Sequence, residues 1–229
     1  FIYRDFSVQQ LLGSGLPISI QLGATALLLA LLLGAVLGTI AALRQNSWID
    51  YGVTAVATFG ITVPNFVVAP LLSLVFGVWL SLLPAGGWGN GGPANMLLPV
   101  ITLALPQVAV IARLIRGSMI EALRSDHVRT ARAYGLPARI VVIVHAMRAA
   151  CLPVVSYLGP AAAALLTGSV VVETIFGLPG IGRYFVEAAL TDDYTLVMGT
   201  VIIIAVFVVV FNLIVDLLYA ALDPRVRYD

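Results

Sequence analysis

The sequence contains no lysine: all 12 of its cationic side chains are arginine, in a chain of 229 residues. A nucleotide-binding loop of the pattern G-x-x-x-x-G-K-[ST] needs its lysine to reach the phosphates of ATP. The chain therefore cannot build that site, and any step driven by ATP must obtain its energy from another polypeptide. The formal net charge of +1 also gives no reason to expect binding to nucleic acid.

Cysteine and histidine are almost as scarce. Cys151 is the only cysteine, which excludes a disulfide within the chain and a metal site made of cysteines. The two histidines, His127 and His145, do not form an H-E-x-x-H pattern, and no nucleophile stands in a recognisable arrangement with a base. We therefore expect no catalytic residue, no bound metal and no cofactor in this chain.

Charge of either sign is also scarce. Charged residues make up 10% of the chain and hydrophobic residues 61%, whereas a soluble domain carries about 25% charged residues. A hydrocarbon core of about 30 Å is crossed by about 20 apolar residues, and the crossing segments must be helical because lipid cannot satisfy bare backbone groups. The sequence predicts five such spans, at residues 16–43, 51–83, 96–112, 149–172 and 195–215.

Arginine is concentrated in alternate loops, and loops rich in arginine remain in the cytoplasm. Residues 113–148 hold seven arginines, whereas loops 84–95 and 173–194 hold only Arg183. This pattern predicts a cytoplasmic loop at 113–148, external loops at 84–95 and 173–194, and a cytoplasmic C-terminus after Arg225 and Arg227. Five crossings would place the first residue outside, so we expect a further membrane helix upstream of this sequence.

Proline and glycine predict the shape and packing of the spans. A proline inside a helix frees a carbonyl and kinks the chain, and six prolines interrupt the predicted spans: Pro64, Pro70, Pro99, Pro106, Pro153 and Pro160. Gly34 and Gly38 form a small-xxx-small face, which lets a second helix approach closely. The sequence therefore predicts bent, closely packed helices.

Two helices joined by Gly-Leu-Pro are predicted within the cytoplasmic loop. Ser125 or Asp126 can cap the first helix, which we place at about residues 127–134. In the tripeptide 135–137, the glycine can adopt a left-handed conformation and the leucine can fold back as a hydrophobic contact. The proline then prevents continuation and suits the first position of the next helix.

The first of these helices is about 12 Å long, which is too short to cross a membrane. It presents Arg129 and Arg132 on neighbouring faces, the small residues Ala131 and Ala133, and the aromatic Tyr134. Arginine and tyrosine are enriched where proteins contact one another, so the helix is typical of a docking element. The residues alone leave a second interpretation open, namely a basic loop that lies on anionic lipid.

The same passage resembles the cytoplasmic "EAA" loop of permease subunits in ATP-binding-cassette (ABC) importers. Gly135 matches the glycine of that loop and Ala131 its second alanine, whereas Arg129 and Thr130 replace the Glu and the first Ala. The residues that replace the later Ile, Leu and Pro of the general pattern are His145, Met147 and Arg148.

The match is close to the peptide branch of these importers, in which the loop reads like RTARAKGL followed by HALR and a later L-P. The corresponding segments here are RTARAYGL at 129–136, HAMR at 145–148 and LP at 152–153. Five further blocks resemble the same branch in sequence order: TVPNFVVAPLL (62–72), LPAGGWG (83–89), GSMIEALRSD (117–126), ETIFGLPGIG (173–182) and DLLYAALDPRVRY (216–228). The chain is thus identified as a member of the oligopeptide, dipeptide and nickel branch, and is most similar to its first oligopeptide permease subunit.

The resemblance implies an all-α polytopic helix bundle of type I importer architecture, with one permease domain over residues 1–229. It implies a subunit that forms half of a peptide pathway, with oligopeptides as the favoured cargo, in the bacterial plasma (inner) membrane. The implied partners are a second permease, two cytoplasmic ATPases that bind ATP and Mg²⁺, and an external peptide-binding protein. The implied ATPase-coupling residues are Asp126, Arg129, Thr130, Ala131, Arg132, Ala133, Tyr134, Gly135, Leu136 and Pro137.

A proton-coupled secondary transporter or channel is the alternative that the residues leave open. Glu173 and Asp216 lie near the ends of predicted spans, and ionisable groups at membrane depth are functional candidates by default. Their places near the boundaries favour structural pairing or contact with interfacial water. Seven polar residues of the spans could line a pathway or bond neighbouring helices: Thr62, Asn65, Gln107, Ser156, Tyr157, Thr167 and Ser169.

Overall fold

The computed structural model describes residues 6–222, and it describes side chains as far as residue 217. Arg225 and Arg227, on which part of the predicted orientation depends, lie outside the described residues. Over residues 6–222 the chain is all-helical, as predicted. The helices are α1 (Val8–Leu43), α2 (Trp48–Thr62), α3 (Asn65–Leu72), α4 (Pro93–Arg124), α5 (Asp126–Ala133), α6 (Ala138–Ile140), α7 (Met147–Ala150), α8 (Leu152–Phe176), α9 (Ile181–Leu190) and α10 (Tyr194–Leu222).

Four described helices are long and apolar enough to cross a membrane, namely α1, α4, α8 and the Tyr194–Leu217 part of α10. They correspond to the predicted spans at 16–43, 96–112, 149–172 and 195–215. Three of the four extend well beyond the predicted apolar run, because a helix does not end where its composition becomes polar. The result is a polytopic helical protein with four spans, or five if α2 and α3 cross together.

The predicted span at 51–83 is helical but broken. α2 ends at Thr62, and Pro64 has extended backbone (φ −65°, ψ 146°) immediately before α3 begins. Proline disfavours helical geometry in the residue before it and has no N–H to continue the helix, which explains the break. Beyond α3 the chain continues as a π-helical segment at Ser73–Trp79, a widening that the sequence did not predict.

The described chain forms two compact units. The first comprises residues up to Leu28, Val63–Leu105 and Pro160–Phe211. One of its core clusters consists of Leu11, Leu12, Ile181, Ala188 and Leu196. Both predicted external loops belong to this unit, in which the backbone N–H of Gly87 donates to the carbonyl of Phe176 at 2.6 Å.

The second unit comprises Leu29–Thr62, Pro106–Gly159 and the residues from Asn212 onward. The predicted small-residue face packs here: a Cβ placed on Gly34 would lie 2.7 Å from Ile111 Cγ2, and one on Gly38 would lie 2.5 Å from the carbonyl oxygen of Ala112. α1 and α4 therefore approach closely at these two glycines. The unit also contains the whole of the predicted cytoplasmic loop, 113–148.

Candidate functional site

The candidate site is α5 together with the turn that follows it. Ser125 has extended backbone (φ −69°, ψ 155°) and is the residue before the helix, as predicted, although its side chain makes no capping bond. Its hydroxyl donates instead to the carbonyl of Ala122 at 2.5 Å. Asp126 lies in the first turn, where its negative charge suits the positive end of the helix dipole.

The end of α5 forms the predicted glycine-terminated turn. Gly135 has φ +75°, in the left-handed region. The N–H of Leu136 donates to the carbonyl of Ala131 at 3.3 Å, and the N–H of Gly135 donates to the carbonyl of Arg132 at 2.9 Å. These bonds satisfy carbonyls that the helix end would otherwise leave free. Pro137 is extended (φ −63°, ψ 144°) and lies just before α6, so the first helical position belongs to Ala138 rather than to the proline.

One face of α5 is buried in its own unit. Val128 and Ala131 are buried, and they belong to a cluster with Ala42, Met119, Ala122, Val141, Ala146 and Ala150. The resemblance implies a coupling role for Ala131, and the structure places its side chain in this cluster. The structure therefore places Ala131 among the residues that hold α5 to the protein, and not on the outer surface of the helix.

The other predicted coupling residues are exposed. They are Asp126, Arg129, Thr130, Arg132, Ala133, Tyr134, Gly135, Leu136 and Pro137, which we call the α5 surface. Tyr134 is 82% exposed, Leu136 is 37% exposed, and Arg129 makes a solvent-exposed ion pair of 3.4 Å with Asp126. The α5 surface therefore combines apolar, aromatic and cationic groups that are free to meet a partner.

An identical tripeptide elsewhere in the chain shows what is unusual about this turn. Residues 177–179 also read Gly-Leu-Pro, Gly177 also has a positive φ (+64°), and the N–H of Leu178 donates to the carbonyl of Glu173 at 2.8 Å. Leu178 is fully buried there, whereas Leu136 remains exposed. The backbone turn predicted at 135–137 is thus present at both places, but among the described residues Leu136 is not covered in the way that Leu178 is.

The polar residues of the spans mostly bond within the protein. The Tyr157 hydroxyl donates to Oε1 of Gln107 at 2.8 Å, which joins two helices. The hydroxyls of Thr62, Ser156, Thr167 and Ser169 each donate to a backbone carbonyl three or four residues earlier. The Tyr157–Gln107 bond fits the interpretation as a bond between helices. The four hydroxyls bond the backbone of their own helix, so their bonds favour neither interpretation.

The two acidic candidates have different surroundings. Glu173 is buried, and its Oε2 accepts a hydrogen bond of 2.7 Å from the N–H of Gly182. Asp216 is exposed near the end of the described side chains. Glu173 therefore has a structural partner at the start of α9, whereas the side chain of Asp216 is exposed on α10.

Sequence reasoning missed one pair of residues in the second unit. Asp50 and Arg116 form an ion pair in which Nη2 of Arg116 donates to Oδ2 of Asp50 at 2.7 Å. They are 66 residues apart, and no local pattern links them. Within the described residues, no three His, Cys, Asp or Glu side chains are grouped so that they could hold a metal ion.

Comparisons with known proteins place the chain in a family. The family model described as "Binding-protein-dependent transport system inner membrane component" matches residues 34–228. The chain belongs to this family and is a multi-pass membrane protein.

Two curated relatives resemble it over nearly its full length. The oligopeptide transport system permease protein OppB of Escherichia coli (strain K12) is 51% identical over 228 residues, which cover 100% of this chain and 74% of OppB. The dipeptide transport system permease protein DppB of Bacillus subtilis (strain 168) is 45% identical over 221 residues, 96% of this chain and 71% of DppB.

A crystal structure of an amino acid ABC transporter with histidines contains a chain of the same fold. That chain matches with a TM-score of 0.63 and 22% identity, and the match covers 94% of each chain. The helical arrangement described above is therefore that of a known transporter chain.

Proposed function

We propose that this chain is a permease subunit of an ATP-driven importer for peptides, with oligopeptides as the favoured cargo, and that it forms half of the translocation pathway. The observation that carries the proposal is 51% identity to an oligopeptide permease over the entire chain. The 45% identity to a dipeptide permease supports the same class of cargo. Import of a labelled oligopeptide by the reconstituted complex tests the proposal, and failure to import any peptide would contradict it.

The α5 surface is the proposed contact with a cytoplasmic ATPase. The helix is held to the protein by the buried side chains of Val128 and Ala131, and its apolar groups Tyr134 and Leu136 remain exposed among the described residues. A short helix that is packed on one face and exposed on the other can bind a partner through its exposed face. A displacement of that partner then moves the helices packed against the buried face. We therefore propose that the residues of the α5 surface contact the ATPase and that Ala131 packs α5 against the rest of its own unit.

The proposed assembly contains a second permease, two ATPases that bind ATP and Mg²⁺, and an external peptide-binding protein. The absence of lysine from these 229 residues supports separate ATPase subunits, because this segment cannot build the nucleotide loop itself. The family description supports a binding protein as the partner that delivers cargo. We place the complex in the bacterial inner membrane, with the α5 surface and the C-terminus in the cytoplasm.

Labelling with an impermeant thiol reagent tests this orientation. In a Cys151→Ala background the chain has no cysteine, so Arg132→Cys and Leu190→Cys each introduce a single exposed thiol. We expect Leu190→Cys to be labelled from outside intact cells and Arg132→Cys only after the membrane is opened. Labelling of Arg132→Cys in intact cells would place the α5 surface outside and contradict the proposed coupling.

Tyr134→Ala is expected to weaken ATPase binding. An aromatic anchor at the centre of a contact contributes about 2 kcal/mol or more, which corresponds to about a 30-fold rise in Kd. The measurement is the Kd of the purified ATPase for the permease complex. Tyr194→Ala is the matched control, because Tyr194 is similarly exposed (75%, against 82% for Tyr134) but lies at the start of α10. An unchanged Kd for Tyr134→Ala would show that this ring is not in the contact.

A proton-coupled carrier is the alternative function. Oε2 of Glu173 is held by the backbone N–H of Gly182, its Oε1 is buried without a hydrogen-bond partner among the described residues, and Asp216 is exposed. Uptake into proteoliposomes distinguishes the two functions. The proposed importer requires ATP and retains uptake when the proton gradient is collapsed. A carrier would show gradient-driven uptake in the absence of the ATPase subunits.

A further inference from the structure

The carboxylate of Asp50 is buried in the second unit, and both of its oxygens are hydrogen-bonded. Asp50 is 1% exposed, and both of its oxygens accept hydrogen bonds from the guanidinium of Arg116, one from Nε and one from Nη2. Oδ2 also accepts a hydrogen bond of 2.9 Å from the backbone N–H of Asn46. Asn46 has φ +61°, so this bond holds a left-handed residue in the turn between α1 and α2.

Arg116 lies on the part of α4 that packs against α5, the helix of the candidate site. Met119, three residues after Arg116, is fully buried in the cluster that contains Val128 and Ala131 of α5. Ser118 donates to the carbonyl of Ala150 at 2.8 Å, which ties the same stretch of α4 to α7. One short segment of α4 therefore packs against the buried face of α5 through Met119 and also bonds Asp50 in the first turn of α2 through Arg116.

An ion pair of this kind is a weak source of stability, because the cost of removing both charges from water offsets their attraction. What the pair supplies is geometry: two parallel hydrogen bonds between a planar guanidinium and a carboxylate fix both the distance and the angle between the groups. A hydrophobic contact would let α2 and α4 slide past each other, whereas the two hydrogen bonds of the ion pair fix the position of α2 relative to α4.

We propose that the Asp50–Arg116 pair is the link by which a displacement of α5 passes through α4 to the turn between α1 and α2. Both residues are then positioning residues for transport, acting away from the cargo and away from the ATPase. This inference rests on the proposed function, because it requires that α5 is the element that the ATPase moves.

The test uses the full complex in proteoliposomes with the binding protein and a labelled oligopeptide. Asp50→Asn keeps the shape and an acceptor for Asn46 but removes the charge, and Arg116→Lys keeps the charge but loses the two-point geometry. We expect both variants to retain their ATPase and its hydrolysis rate, while the ATP consumed per peptide imported rises by about tenfold, on the scale of a typical coupling free energy. Gln45→Ala is the control, since it removes an exposed hydrogen bond of 3.2 Å to Arg124 from the same turn, and its ratio should not change.

A normal ratio in both variants would overturn the proposal. Loss of the assembled complex in both would also overturn it, because the pair would then serve only to hold the fold together. Gly135→Val, tested in parallel, reports on the proposed function itself: if it leaves ATPase binding intact, the premise about α5 has failed independently of the ion pair.

Discussion

Gly135→Val is expected to abolish ATP-driven peptide uptake and to release the ATPase from the complex. Gly135 has φ +75°, and a Cβ at this position would meet no atom within 4 Å. The cost is therefore conformational: a left-handed backbone costs an L-residue about 1–2 kcal/mol, and a β-branched side chain fits it worst. The turn would re-form with other dihedral angles, and Tyr134 and Leu136 on either side of it would no longer form one surface. Uptake and ATPase co-purification, measured on the same membranes, check this result.

Two matched variants separate the loss of this surface from general damage. Gly135→Asn is expected to keep much of the activity, because asparagine tolerates the left-handed region. Gly177→Val imposes the same cost at the identical tripeptide, where φ is +64° and a Cβ again meets nothing within 4 Å. We expect it to lower stability while the ATPase stays bound. Normal uptake with Gly135→Val, or equal release of the ATPase by Gly177→Val, would contradict the proposed role of the α5 surface.

The turn at Gly135 could be predicted because its causes are local. A glycine followed by leucine and proline ends a helix through its own dihedral angles and through hydrogen bonds within six residues. The spans could be predicted for a similar reason, since hydrocarbon thickness sets the length of an apolar run. The break before α3 also follows from one residue, Pro64, but the angle between α2 and α3 is known only from the structure.

Burial of a particular side chain could not be predicted in the same way. Leu136 and Leu178 occupy the same position in the same tripeptide, yet only Leu178 is covered. Ala131 has the small side chain expected at a contact with a partner, but it lies on the buried face of α5. The pairing of Asp50 with Arg116 joins residues 66 positions apart. Each of these facts depends on which segments meet after folding, and a single sequence contains no signal for that.

Gly38→Val is expected to prevent the stable packing of α1 against α4. A Cβ at Gly38 would lie 2.5 Å from the carbonyl oxygen of Ala112 and 2.8 Å from Cβ of Ile115. The first of these atoms belongs to the backbone of α4 and cannot rotate away, so the two helices must move apart. Overpacking of this kind costs about 1–3 kcal/mol and sometimes more, and each kcal/mol lowers the Tm of a chain of this size by roughly 2–4 °C. Thermal unfolding of the purified complex in detergent measures the shift.

Gly23→Val is the matched control on the same helix, because a Cβ at Gly23 meets nothing within 4 Å. Both variants add the same side chain to α1, and therefore the same lipid compatibility and the same loss of backbone freedom. Only Gly38→Val adds atoms where α4 already lies. We expect Gly23→Val to unfold at the wild-type temperature and Gly38→Ala to fall between the two valine variants, since a single methyl group already reaches the carbonyl of Ala112. Equal Tm values for Gly23→Val and Gly38→Val would mean that α1 and α4 are not in close contact at Gly38.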